Sequence, residues 1–462
     1  MKNPVYFHAA QFVAVFALFL LAGCSSIPAL VPDMAMRPSR PVQLDGAHGP
    51  LSAAQSKTIL ARLKNNATET NIFDRHLALE SELVGSPLVV GNKVTLLVDG
   101  PTTYNAMFTA IERAKNHINM ETYIFEDDEV GQRFAALLMK KQQSGVQVNL
   151  IYDSVGSINT PKAFFDTLKQ SGVNVLEFNP VNPLLARKGW DVNRRDHRKL
   201  LIVDGQVAFV GGINISSVYS SSSFRRVKIT KKNQAWRDTH LRLAGPVVSE
   251  FQKLFMATWI EQQGEPLAPR DYFPVSKNYG HEVVRAIGSS PEEPYSQIYV
   301  TLLSAINNAE TQVYLTNAYF VPDPQLLAAL KQAVQRGVDV RLLLPATTDS
   351  ALVFYASRSY YDELLNAGIK IYERQDALLH AKTALIDGVW STVGSTNLDW
   401  RSFLNNQEIN AVVLGQDFGL QMQVLFEQDL ASSKLITLES WRKRPVSNRI
   451  KERAARLWAR LL

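Results

Sequence analysis

His197-Arg198-Lys199-Leu200-Leu201-Ile202-Val203-Asp204-Gly205 opens a stretch that runs on to Gly211-Gly212-Ile213-Asn214. The same arrangement returns as His380-Ala381-Lys382-Thr383-Ala384-Leu385-Ile386-Asp387-Gly388, closing on Gly394-Ser395-Thr396-Asn397. The offset is constant at 183 residues, 380 − 197 for the histidines and 397 − 214 for the asparagines. In both copies an apolar run enters Asp-Gly and a second one leaves it. That pattern predicts a hairpin, because Asp-Gly tolerates the positive φ angles of a two-residue turn. Residues i and i+2 of a strand share a face, so His197 projects with Lys199, and His380 with Lys382. Packing the copies about a pseudo-twofold axis gathers two imidazoles and two ammonium groups, a constellation suited to phosphate. One such motif would be weak; two at identical spacing, each followed by G-[GS]-x-N, are not two ordinary surface hairpins.

The elements around each hairpin repeat as well. Before the first, strands are expected over 93–98, 118–125, 146–152 and 173–178, with helices over 104–115, 130–143 and 163–170. Before the second, strands over 282–287, 312–320, 338–344 and 369–372 alternate with helices over 297–309, 324–335 and 359–367. Ser144-Gly-Val-Gln-Val-Asn-Leu matches Arg336-Gly-Val-Asp-Val-Arg-Leu. Alternation at these lengths argues for a duplicated mixed α/β fold with a largely parallel centre. Residues 51–90 read as N-terminal helices, 91–262 as the first half, 263–280 as a proline-bearing linker and 281–445 as the second half.

At 462 residues with 46% hydrophobic and 20% charged content, the chain can bury a large core, which excludes a disordered class. The net charge of +6 favours anionic partners without choosing between nucleic acid and lipid. The N-terminus narrows the compartment. Lys2 precedes an apolar run from Phe12 to Ala22, too short for the ~20 residues of a membrane span. It has the length of a signal-peptide core, and Leu21-Ala22-Gly23-Cys24 looks like a lipoprotein cleavage box. On that reading residues 1–23 are removed, Cys24 is lipidated, and 24–50 form a flexible tether; a plain N-terminal anchor with an incidental cysteine is the other reading. Two basic stretches flank the first hairpin, 186–195 with Trp190 and 224–232, and are expected either to meet headgroups or to be solvated loops. Residues 446–462 read as a basic amphipathic helix with Ile450, Ala454, Leu457, Trp458 and Leu461 on one face. That suits an interfacial segment, or a terminal helix packed on the body.

The paired motifs resemble the signature of the phospholipase D superfamily. Their flanks, Trp236-Arg-Asp238-Thr-His-Leu-Arg-Leu-Ala-Gly-Pro and Asn397-Leu-Asp-Trp-Arg401-Ser402-Phe-Leu-Asn-Asn-Gln-Glu408, resemble its bacterial cardiolipin synthase branch. The resemblance spans about residues 85 to 445. It implies two phospholipase D-like halves with the active site at their interface, and His197, Lys199, Asp204, His380, Lys382 and Asp387 as the catalytic set. The position of Asp204 and Asp387 at the turns suggests a structural role for these two. Asn214, Ser395 and Asn397 are expected to bind phosphate. Glu408 is expected to orient His197, and Asp238 to orient His380. The resemblance makes His197 the nucleophile and His380 the acid and base; the residues alone permit the reverse.

No metal and no cofactor is expected. The implied activity is phosphatidyl transfer between two phosphatidylglycerols, giving cardiolipin and glycerol through a phosphohistidine. Phospholipid hydrolysis is the alternative; a nuclease or a lipid-binding protein without activity stands further off. Phosphatidylethanolamine as donor and a non-lipid alcohol as acceptor stay open, because a lipobox here replaces the transmembrane helices of familiar relatives. Expected partners are anionic phospholipids, including cardiolipin itself, and the membrane surface, with neither nucleic acid nor an obligate protein partner. The expected location is the periplasmic side of a bacterial cell envelope. Ser25, where aspartate would retain a lipoprotein at the inner membrane, favours the inner leaflet of the outer membrane.

Overall fold

Helix starts are written into both halves in the same way. Asp128 accepts the amide of Gly131 at 2.9 Å to open helix Glu129–Gln143, and Asp323 accepts that of Leu326 at 3.0 Å to open Pro324–Gln335. Such caps satisfy backbone donors that the first helical turn leaves unpaired. The computed structural model describes residues 41–65, 70–182, 184, 190–221 and 235–462. The expected signal peptide, Cys24, most of the tether and basic residues 224–232 lie outside the described residues.

In the first half, strands His117–Thr122, Gln147–Asp153 and Asn174–Phe178 run parallel. Lys199–Val203 then pairs antiparallel with His117–Thr122, and the sheet continues antiparallel through Val207–Gly211, His240–Ala244 and Leu88–Leu97. The second half repeats this order. Gln312–Asn317, Asp339–Pro345 and Lys370–Arg374 are parallel; Lys382–Ile386, Trp390–Gly394, Asn406–Leu414 and Glu282–Ser289 follow antiparallel. The parallel strands thus occupy one side of each sheet rather than its centre, and each motif hairpin sits where the direction changes. Glu282–Ser289 pairs antiparallel with Leu88–Leu97, which fuses the halves into one sheet. A core drawn from both halves, with Leu200, Ile202, Leu241, Val284, Leu385 and Ala411, lies behind the hairpins.

The two hairpins differ from a two-residue turn. Asp204 and Gly205 have φ of 54° and 62°, and Asp387 and Gly388 have 48° and 67°, the left-handed region that Asp-Gly permits. Val203 nevertheless pairs with Val207, and Ile386 with Trp390, so three residues leave the ladder at each turn. The reason is that Asp204 continues the neighbouring ladder, its amide donating to the His117 carbonyl at 2.9 Å; Asp387 does the same with Gln312 at 3.0 Å.

Their carboxylates are equally committed. Asp204 accepts the amides of Lys115, Asn116 and His117 at 2.8 to 3.0 Å. Asp387 accepts those of Glu310, Thr311 and Gln312, and the Thr70 hydroxyl at 2.7 Å. These aspartates sit at the opposite end of their strands from the histidines and clamp the start of the neighbouring strand. This corrects their place in the catalytic set. Asp204→Ala is expected to lose about 2–3 kcal/mol of stability, since it strands several amides that now bond a charged acceptor. Its kcat at a permissive temperature should match the parent; thermal unfolding and a rate assay on one preparation check both.

The expected N-terminal helices appear as Ala53–Asn65 and Leu77–Leu83, joined to the body through Ile72, Phe73 and Leu77. They pack on the second half, against Leu302 and Ile306, although they precede the first in sequence. Among the described residues no helix is long and apolar enough to cross a membrane.

Candidate active site

Two short parallel ladders cross between the halves, and they build the site. Arg195–Asp196 pairs with Asn406 and Gln407 of the second half; Trp236–Arg237 of the first half pairs with Leu378 and Leu379. The ladders end in equivalent bonds: the His197 amide donates to the Gln407 carbonyl at 2.9 Å, and the His380 amide to the Arg237 carbonyl at 2.7 Å. Each carbonyl belongs to the residue just before an acid. Backbone register therefore delivers Glu408 to His197 and Asp238 to His380.

The side chains complete the pairing. His197 Nδ1 lies 3.0 Å from Glu408 Oε1, and His380 Nδ1 lies 2.6 Å from Asp238 Oδ2. A neutral imidazole that donates Nδ1–H to a carboxylate has its Nε2 lone pair free. Lys199 Nζ donates to the carbonyl of His197, and Lys382 Nζ to that of His380. The two histidines are nearly buried and the lysines and acids more so, which leaves the imidazoles as the accessible part of the site.

Burial governs the charges. It pushes His197 down to about 4 against the opposing pull of Glu408, so His197 is neutral at pH 7. His380 is lowered by burial and by Lys382, with Asp238 pulling the other way. Burial opposes ionisation of Glu408, but His197, Lys199 and Ser395 outweigh it and hold the carboxyl at about 2. Asp238 is likewise held below its ordinary value, chiefly by His380 and Lys382 against burial. Lys199 falls to about 7 and Lys382 to about 8, both from burial first. Two cations that must be present to bind an anion thus titrate near neutrality. Below about pH 7 both carry charge; above about 8 the free site loses it, and an anionic substrate binds more weakly. KM is therefore expected to rise from pH 7 to 9 while kcat changes less, and Lys382→Arg should remove the part of that limb near pH 8 and keep the part that belongs to Lys199. A pH series of kcat and KM checks this.

The remaining expected residues divide. Ser395 Oγ donates to Glu408 and accepts the Ile409 amide at 3.0 Å, so here it braces the acid that aligns His197. Its counterpart Gly212 has no room for a side chain, since a Cβ there would stand 2.2 Å from Asp238 Oδ1. Asn214 braces the site more than it offers itself, with Nδ2 on the Tyr219 hydroxyl at 3.3 Å and Oδ1 on the Ile124 amide at 3.2 Å. Asn397 is buried at the equivalent strand end. Arg195 faces inward, bonded to Ser154 at 2.9 Å and paired with Asp153, and Trp190 donates its indole N–H to the Pro180 carbonyl at 2.7 Å. Arg195 is thus committed inside the junction, whereas Trp190 stays half-buried; Arg187 and Lys188 lie outside the described residues.

Sequence reasoning missed the aromatic walls. Tyr123 stands edge-on to His197 at 5.0 Å, with Lys199 5.1 Å from its ring centroid. Trp236 packs on His380 at 5.2 Å, and the Tyr219 hydroxyl lies 3.2 Å from His380 Nδ1. Trp236 was legible as the head of a quoted flank; Tyr123 and Tyr219 carry no spacing signal. Arg198, also missed, holds the Glu408 carbonyl with Nε at 3.1 Å and the Thr258 hydroxyl at 2.7 Å. Among the described residues no group of three or more His, Cys, Asp or Glu could hold a metal ion.

Comparison with known proteins agrees with this geometry. A family model described as "Cardiolipin synthase, PLD-like domain" matches residues 107–255 and 302–430. The cardiolipin synthase of Geobacillus kaustophilus is 37% identical over 379 residues, 81% of this chain and 74% of that one. Cardiolipin synthase 2 of Bacillus anthracis is 37% identical over 369 residues, covering 79% and 70%. In fold the chain is similar to the phosphatidylserine synthase of Haemophilus influenzae, with a TM-score of 0.61 at 13% identity, over 83% of this chain and 99% of that one. Two fused phospholipase D-like halves, with a histidine, a lysine and an acid from each meeting at their junction, mark the chain as a member of the cardiolipin synthase family of phosphatidyltransferases within the phospholipase D superfamily.

Proposed function

We propose that the protein joins two phosphatidylglycerol molecules into cardiolipin and glycerol through a phosphohistidine on His197. The observation that carries this reading is the meeting of two imidazoles, each aligned through Nδ1 by a carboxylate of the other half and flanked by a buried lysine. The nucleophile's role is given to His197 by the family resemblance. His197 is neutral and aligned by an ionised Glu408, and His380 lies against Asp238 at 2.6 Å. Nε2 of His197 attacks phosphorus of the donor, and the P–O bond to the departing glycerol breaks. An anionic phosphodiester between Lys199 and Lys382 offsets the cations that disfavour an imidazolium, and Asp238 stabilises charge on His380 in particular. His380 then gives its proton to the glycerol alkoxide. In the second step it takes a proton from the headgroup hydroxyl of another phosphatidylglycerol, whose oxygen attacks the phosphohistidine and restores His197. The two lysines hold the non-bridging oxygens, where charge persists through both transition states.

Water in place of the acceptor would yield phosphatidic acid. We place the protein on the periplasmic side of a cell envelope, anchored through lipidated Cys24. The product experiment uses the purified chain with phosphatidylglycerol vesicles, followed by chromatography. Cardiolipin with equimolar glycerol supports transfer. Phosphatidic acid replaces transfer with hydrolysis, and no lipid turnover removes the assignment. Labelled palmitate incorporated into the parent but not into Cys24→Ser tests the anchor.

A further inference from the structure

The C-terminal helix Val446–Arg456 and the residues after it turn the wrong way for a purely structural element. The helix packs on the body through Glu452 and Ala455, and Ala459 beyond it is also buried. Glu452 is neutralised there by Arg444 at 2.9 Å. On the opposite side Val446, Ile450, Leu457 and Leu461 are 67%, 63%, 85% and 59% exposed. Positions 446, 450 and 457 fall within about 40° of one another on a helical wheel, so these side chains make one outward stripe. An apolar stripe facing water is unfavourable unless something covers it.

The borders of the stripe say what covers it. Arg449, Lys451, Arg453, Arg456 and Arg460 are all exposed along it. The acids facing them are few: Glu439 pairs with Lys443, Glu363 lies 3.5 Å from Arg456, and Asp362 is bound to Arg444. Position relative to the site is the second argument. The Arg401 amide donates to the Leu462 carbonyl at 2.8 Å, and Arg401 lies four residues past Asn397, with its guanidinium on the Asn193 carbonyl at 3.3 Å. The chain thus runs from this stripe to the edge of the catalytic junction.

We propose that the outward face of residues 446–461 is a docking surface for an anionic lipid bilayer, which holds the active-site mouth at headgroup level. The apolar stripe enters the acyl boundary and the flanking cations meet lipid phosphates. This extends the phospholipid reading of the site, and only its activity arm rests on that reading.

The test uses the full chain carrying Cys24→Ser, which removes the native thiol, with Leu457→Cys bearing an environment-sensitive fluorophore. Lys169→Cys, exposed on the helix Lys162–Gln170 of the first half, is the control. With phosphatidylglycerol vesicles the label at 457 should shift to the blue and be quenched by lipid-borne nitroxides, while the label at 169 should not. Phosphatidylcholine vesicles should give a markedly smaller effect. Ile450→Asp with Leu457→Asp and Leu461→Asp should lower turnover on vesicles by ~tenfold or more but leave turnover on detergent-dispersed substrate unchanged. A label at 457 that stays in water overturns the proposal. So does a shift that grows with protein concentration in the absence of lipid, which would make a second copy the occupant. Because the optical readout needs no turnover, a failure of the catalytic assignment would show separately.

Discussion

Replacing His197 with alanine should reduce phosphatidyl transfer by about 10⁴-fold or more, because it removes the imidazole proposed to form the covalent intermediate while His380 is committed to proton transfer. The neighbouring hydroxyls are occupied: Ser395 is bonded to Glu408, and Tyr219 accepts from Asn214. His380→Ala should be nearly as damaging overall, but differently. The nucleophile stays intact, so a substrate with a leaving group that needs no proton should regain the first step. Single-turnover assays with labelled lipid should then show label retained on protein in His380→Ala and none in His197→Ala. Label retained in His197→Ala instead would exchange the two roles. Neither substitution should unfold the chain, since each His amide keeps its bond across the halves.

The acids are the second large effect. Glu408→Gln and Asp238→Asn keep volume but replace a charged acceptor with a group that can also donate. The histidine then loses the partner that selects Nδ1–H, and its Nε2 is no longer dependably the free lone pair. Loss of a carboxylate in this role costs up to about 10⁴-fold in kcat where it has been worked through, and ~10³–10⁴ is the expectation here. The two variants should differ in pH response. Glu408 opposes the burial that takes His197 down to about 4, so its removal lowers that histidine further and shifts no limb near neutrality. Asp238 raises His380, so Asp238→Asn should move the basic limb of the rate profile to lower pH. His197→Ala combined with Glu408→Gln should be no worse than His197→Ala alone, because the acid acts through the histidine. Additive losses would mean that Glu408 acts elsewhere.

The sequence disclosed the duplication through one number and its exception. The motif residues repeat at 183, but 408 − 238 is 170, so the first copy carries 13 extra residues between Asn214 and Asp238. The constant offset predicts equivalent strands; the pairing of each histidine with the acid of the other half was implied by the resemblance, and the two ladders between the halves are what bring it about. Other features had no such signal. Helix Ala351–Arg358 was not expected, because a short apolar run without a clear period does not distinguish helix from loop. The walls at Tyr123 and Tyr219 come from a strand end and a short helical turn whose proximity depends on how the halves meet.

Local chemistry was enough to determine where the hairpins lie, the repeated order of strands and helices and the identity of the reacting groups, because each depends on residues close in sequence. Tertiary structure alone decided what those groups are for. It showed which amides the carboxylates of Asp204 and Asp387 hold, and it set Ser395 against Glu408. It also set the charges, since burial of Lys199 and Lys382 in one junction brings them near neutrality. A residue's type names the proton it can hold; only its surroundings settle which partner competes for that proton and whether water is there to pay for the charge.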